Sequence, residues 1–145
     1  MTLPDPYAAI TRYLKKQHVL TLACQADGEL WCASCYYVCD PASAVLWIMS
    51  DVQTRHGTLL LRQPQVAGTV SGQPKSVARI KGVQFAGAAR PLAGAAEQQA
   101  RAAYVRRFPI AARQSATLWE IRLSELKMTD NTLGFGTKLV WQAAQ

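Results

Sequence analysis

Between His18 and Asp40 the chain reads as a β-hairpin, and this constrains the fold more than any other feature. HVLTLAC, from His18 to Cys24, is rich in β-formers and alternates weakly. Ala26-Asp27-Gly28 follows, and Asp-Gly is a strong short-range turn signal because both residues tolerate positive φ. ELWCASCYYVCD, from Glu29 to Asp40, is the return strand, and Pro41-Ala42-Ser43 turns the chain again. AVLWIM, from Ala44 to Met49, is apolar at every position, which suits a strand buried on both faces. Strands in such close succession favour antiparallel pairing over a doubly wound parallel sheet.

The remaining pattern adds helices between further strands. Asp5-Pro6 offers an N-cap and a first helical residue, and Tyr7, Ile10 and Leu14 share one face, so residues 5–17 read as an amphipathic helix. Ser50-Asp51 offers a second cap, and Thr54 to Gln63 reads as a short helix stopped by Pro64. Val66, Gly68 and Val70 alternate in a fourth strand, and Ser71-Gly72-Gln73-Pro74 turns. Ser76 to Ala89 reads as a long strand with Gly82 and Gly87 as bulge or bend points. Residues 94–108 change to helical period, with Ala96, Ala100, Ala103, Tyr104 and Phe108 on one stripe and Pro109 at its end. Thr117 to Leu123 alternates cleanly, and the tail from Lys127 holds another short strand and a Gly134-Phe135-Gly136 turn. About six strands and three short helices result, the pattern of an antiparallel barrel with helical decoration.

Composition supports a packed chain of this size. Of 145 residues, 50% are hydrophobic and 17% charged, which excludes general disorder and fits one domain over residues 1–145. The apolar run Ala44–Met49 is far shorter than the roughly 18 residues of a membrane span. Met1-Thr-Leu-Pro-Asp-Pro has no charged region leading into an apolar one, so no secretion signal is expected, and the four cysteines are expected as reduced thiols in the cytoplasm. The net charge is +7. Its basic residues are dispersed with no aromatic-interleaved run, so they read as solvated faces or as a site for a small phosphorylated ligand, and not as a nucleic-acid surface. Trp31, Trp47, Trp119 and Trp141 spread across the strands and suggest more apolar surface than a lone small barrel buries. A homodimer burying over about 2,000 Å² in total is therefore expected.

Three segments compete for chemistry. Thr54-Arg55-His56 starts a helix after a buried strand, where unpaired N–H groups and a partial positive charge suit a phosphate, and a hydroxyl and a guanidinium add donors. The same residues also read as an ordinary capped helix with an exposed Arg and His. His56 has the pKa range of a general acid or base, but no carboxylate pairs with it in sequence. Cys32, Cys35 and Cys39, with Cys24, have spacings reminiscent of zinc ligands, yet strand parity sends Cys32 and Cys35 to opposite faces, so they read as buried free thiols acting as small hydrophobes, with no metal site. Lys81 to Gly87 lacks the spacing and the strand-to-helix context of a dinucleotide fingerprint and reads as bulged strand.

The order of these segments resembles the pyridoxamine 5′-phosphate oxidase-like split-barrel flavoproteins. More narrowly, LWCASCYYVCD, TRH, VAGTVSGQPK, RIKGVQFAG, WEIRL and TDNTLGFG are similar to the YhbP-type group of small bacterial proteins, over nearly the whole chain. The resemblance implies a mainly β split barrel, antiparallel and Greek-key-like, forming a homodimer with FMN at the subunit interface. It further implies that Thr54, Arg55 and His56 grip the phosphate, with Met49 and Ser50 at the strand end. Cys32, Ala33, Ser34 and Cys35 would border the isoalloxazine, largely through backbone groups. Ala33 stands where the oxidases have Arg, and His56 where they have Lys, and both changes remove charge from the phosphate site. The oxidases' C-terminal Arg-x-His signature is also absent, the nearest segment being Trp119-Glu120-Ile121-Arg122-Leu123. The implied function is therefore an FMN-dependent oxidoreductase of another substrate. The alternative is a non-enzymatic binder of a planar or phosphorylated small molecule such as haem, and a third reading is an interaction protein whose basic face meets an acidic partner.

Overall fold

The computed structural model describes residues 2–145; Met1, the first residue of the N-terminal segment read above as lacking a secretion signal, lies outside them. Seven strands form one antiparallel sheet: β1 (Val19–Ala26), β2 (Glu29–Asp40), β3 (Val45–Met49), β4 (Gln65–Ser71), β5 (Lys81–Pro91), β6 (Leu118–Asp130) and β7 (Lys138–Gln142). Their order is β3-β2-β1-β4-β5-β6-β7, and an additional β3–β6 pairing closes the sheet on itself. The split lies along β6. One edge of β6 pairs with β5, while on the other Leu118–Arg122 pairs with β3 and Glu125–Thr129 with β7.

The hairpin forms as the sequence predicts, with Asp27 and Gly28 at φ of 51° and 82° and β1 paired to β2 from Val19↔Tyr36 to Ala26↔Glu29. Helix α1 (Pro6–Lys16) starts where Asp5 accepts from the Ala8 N–H at 2.9 Å. It packs Ile10 and Leu14 into the barrel core beside Leu20, Leu22, Tyr37 and Trp119. The outer side of β3 is covered instead by α3 (Gly94–Arg107): Val45, Trp47 and Leu118 pack with Ala100 and Tyr104 in a second cluster. This explains why AVLWIM is apolar throughout, since both faces of β3 meet protein.

Three sequence expectations need correction. Residues 76–80 are not strand: Val77–Arg79 form a short 3₁₀ turn, all exposed, and β5 begins at Lys81. Val77 and Ile80 are β-branched strand formers but lie outside the ladder, as the loop is held by Asn131, whose N–H bonds the Ile80 carbonyl at 2.9 Å. β6 runs on past Leu123 to Asp130, because Ser124 is an extra residue opposite the Ala86/Gly87 step and resets the alternation. Gly87 is required at this bulge, since a Cβ there would sit 2.3 Å from the Arg122 carbonyl oxygen. The strand count is seven rather than about six. Of the tryptophans, only Trp31 is exposed, at 43%, while Trp47 and Trp119 are consumed by the two cores.

Candidate functional site

Helix α2 (Arg55–Arg62) follows β3 through a tight loop. The cap is Thr54, three residues beyond the Ser50-Asp51 expected: its hydroxyl accepts from the Gly57 N–H at 3.0 Å and donates to the Asp51 carbonyl at 2.8 Å. Gly57 is the residue that allows this turn, because a Cβ there would lie 2.4 Å from the Asp51 oxygen.

The loop brings Ser50, Thr54 and His56 together. The Ser50 hydroxyl contacts His56 Nε2, and Thr54 Oγ1 lies 3.4 Å from the same nitrogen. Ser50 is fixed from β6: its N–H donates to the Thr117 carbonyl, and its own carbonyl accepts from the fully buried Trp119 indole at 3.0 Å. Removing that indole donor would leave a buried carbonyl unpaired, at about 1–3 kcal/mol. Burial lowers the His56 pKa, favouring the neutral ring.

Arg55 is turned toward the hairpin. Its Nε donates to Glu29 at 2.8 Å and its guanidinium stacks over Trp31 at 3.8 Å from the ring centroid. Arg62 pairs with Asp27 on the same hairpin. The N-terminal end of α2 thus carries one cation, the carboxylate of Glu29 paired with it, that of Asp51 in the preceding loop, which accepts from the Gln53 N–H at 2.8 Å, and a neutral imidazole.

Strand parity divides the remaining expected residues. Cys35 is buried in the barrel core, as are Cys24 and Cys39, and Ala33 is half-buried on the inward side, but Cys32, expected buried, faces outward with Ser34 and is exposed, because the parity that separates it from Cys35 puts it on the uncovered face of β2. Met49 stands at the end of β3, half-buried against the second cluster. Beside it opens a pocket of about 580 Å³ that Tyr36, Ser50, Tyr104, Phe108 and Ile110 help to line. Tyr104 donates to the Tyr36 carbonyl at 3.0 Å, and the Phe108 ring lies 5.3 Å from that of Tyr36. Burial, with Cys35 nearby, pushes the Tyr104 phenol up to about 12, so it stays a neutral donor. The sequence carries a signal for this wall, the Tyr104–Phe108 stripe, but not for Tyr36 beneath it, which needs the fold of α3 over β2.

The outward face of β2 continues across its neighbours. Leu30, Cys32, Ser34 and Tyr36 are followed by Val19, Thr21, Ala23 and Gln25 on β1. Gln65, Ala67, Thr69 and Ser71 on β4 come next, then Gly82, Gln84, Ala86 and Ala88 on β5. No charged side chain stands among them, although the chain carries +7. Leu30 is 75% exposed and Tyr36 56%.

Comparison with known proteins places the chain. It is 54% identical over 138 residues to the UPF0306 protein YhbP of Escherichia coli O127:H6, covering 95% of this chain and 99% of that one. The chain belongs to the UPF0306 (YhbP) family. A UPF0306 protein of Yersinia pseudotuberculosis is 49% identical over 145 residues, covering 100% of this chain and 99% of that one. No family model matches. Among solved structures, a haem-binding protein of Mycobacterium smegmatis superposes with a TM-score of 0.82 at 17% identity, covering 98% of this chain and 60% of its own. The haem storage protein HutZ of Vibrio cholerae gives 0.68 at 18% identity, covering 83% and 92%. A FAD-binding protein of Mesorhizobium loti gives 0.68 at 17%, covering 83% and 91%. These likenesses establish the split-barrel fold. No helix of the described residues is long and apolar enough to cross a membrane.

Proposed function

We propose that this UPF0306 chain is a cytoplasmic FMN-binding homodimer that acts as a flavin-dependent oxidoreductase on a small molecule other than pyridoxamine phosphate. The observation that carries the reading is one continuous arrangement: an exposed uncharged strand face beside an aromatic pocket and a polar helix start. The pocket's size lies within the 300–1,000 Å³ of small-molecule sites. Its lining is mainly apolar and aromatic, with Asp51 at the end that leads to α2, and fits a planar ring, while the Ser50 hydroxyl, the His56 ring and the Arg55 guanidinium fit a phosphate beyond it. Bound FMN supplies the redox chemistry. The chain's part is to hold it: Arg55 toward the phosphate, Thr54 by capping the turn that presents it, the backbone of Cys32 to Cys35 along the ring, and Tyr36, Tyr104 and Phe108 excluding water. Of the three solved structures named above, one is described as FAD-binding, one as haem-binding and one as a haem storage protein. His56 favours the flavin, since its Nε2 is already turned to two hydroxyls rather than outward as an axial ligand.

A second copy covers the uncharged face. Exposed Leu30, Val19 and Tyr36 in a surface without charge are a liability for a monomer and suit an interface of over about 2,000 Å². Ser34→Arg tests both parts together. A charge in the centre of that face is expected to give a monomer by light scattering and to abolish FMN uptake. A dimer that binds FMN like wild type would overturn the placement.

A further inference from the structure

On the other side of α3 lies a second and larger cleft, of about 790 Å³, which shares no lining residue with the aromatic pocket. Tyr104 and Phe108 of α3 face the pocket, whereas Ala103, Arg106 and Arg107 face this cleft. The C-terminal ends of two helices meet there: Lys15 and Lys16 close α1, and Arg106 and Arg107 close α3. Val38, Pro41, Ala103 and the largely buried Trp47 give the cleft its apolar part.

Basic residues at a helix C-terminus often do no more than answer the helix dipole, so the charge must be counted. Four cations stand against the Asp40 carboxylate and two helix ends of about half a negative charge each. The excess is about two positive charges. None of the four has a carboxylate within ion-pair distance among the described residues, where five such pairs occur elsewhere. Arg107 is held in place without losing its charge. It donates to the Gln17 carbonyl, and its guanidinium lies 5.9 Å from the Tyr37 ring centroid and 5.4 Å from that of Phe108. Lys15, Lys16 and Arg106 remain exposed and available.

We propose that this cleft is a second ligand site, independent of the flavin site, which takes a small organic phosphomonoester: the dianion between the ends of α1 and α3, the organic body over Val38 and Trp47. Two excess positive charges match one phosphate dianion, and the cleft's apolar part gives the carbon skeleton a surface that inorganic anions do not need.

The test is a titration of uniformly ¹⁵N-labelled protein with phenyl phosphate, and separately with phenol, followed by amide and indole shifts. Phenyl phosphate is expected to move the Trp47 indole and the amides of Val38, Asp40 and Ala103, and to bind at least about tenfold tighter than phenol. In Lys15→Ala/Arg106→Ala, two exposed substitutions that leave both cores intact, the affinity should fall about tenfold or more. In Arg55→Ala it should stay within about twofold of wild type. Shifts confined to residues 50–57, equal affinity for phenol and phenyl phosphate, or full retention in the double variant would each overturn the proposal.

Discussion

Arg55 is the residue on which the phosphate part of the account turns, and its pairing with Glu29 makes the prediction quantitative. The pair is 2.8 Å long with side chains 50% and 42% exposed, so it contributes at most about 1 kcal/mol to the free protein. A charged contact to a ligand phosphate is worth about 1.5–3 kcal/mol. Drawing Arg55 away from Glu29 leaves a net gain of about 0.5–3 kcal/mol, so Arg55→Ala should weaken FMN by about 2- to 150-fold. Riboflavin lacks the phosphate and should change less than about twofold. Glu29→Gln removes the competitor and should tighten FMN by up to about fivefold. Fluorescence titrations of both flavins against wild type and the two variants, at one low ionic strength, decide the matter. Equal losses for FMN and riboflavin in Arg55→Ala would refute the reasoning, as would weaker FMN binding in Glu29→Gln.

Three further outcomes follow from the same geometry. Gly57→Ala places a Cβ 2.4 Å from the Asp51 oxygen, so urea unfolding should show a loss of about 1–3 kcal/mol, whereas no loss would mean the loop is slack. Burial holds the His56 pKa below its ordinary 6.5, so the unfolded chain takes up the proton first and stability, complete above about pH 6.5, declines as the pH falls below it. His56→Asn should flatten that decline in urea midpoints between pH 7.5 and 5, and an unchanged slope would exclude His56 as its source. Burial raises the thiols of Cys24 and Cys35 to about 11 and Cys39 to about 12, so iodoacetamide at pH 7.5 should spare all three in the native protein. Cys32 is exposed on the proposed dimer face, and mass spectrometry should find it labelled faster on dilution.

What was legible in the sequence was local. The Asp27-Gly28 turn, the cap and first turn of α1 and the start of α2 each rest on residues within a few positions of one another, and each forms as its side chains dictate. What required the fold was long-range. Nothing near Ser124 announces that it is the extra residue of a bulge, because its partners on β5 lie far back in sequence. Val77 and Ile80 imitate a strand until the ladder, which starts at Lys81, leaves them out. At the site, Thr54-Arg55-His56 at a helix start was readable from the residues and Ser50 beside it only from the family resemblance, whereas the turn of Arg55 to Glu29 follows from the β1–β2 hairpin lying beside α2. Tyr36 looked like one of many strand aromatics; its role in the pocket depends on α3 crossing β2. The basic residues that read as dispersed along the chain are brought together at the ends of α1 and α3 only by the packing of both helices on the barrel.

A flavin held between the aromatic pocket and the start of α2 would give the protein its colour. The most direct measurement is the visible spectrum of the protein as purified and after addition, in parallel, of FMN and of haem. The expected result is a flavin band near about 450 nm that saturates at one FMN per chain, with its fluorescence changed on binding, and no saturable haem band. A protein that leaves FMN free while giving a saturable Soret band with haem would contradict it.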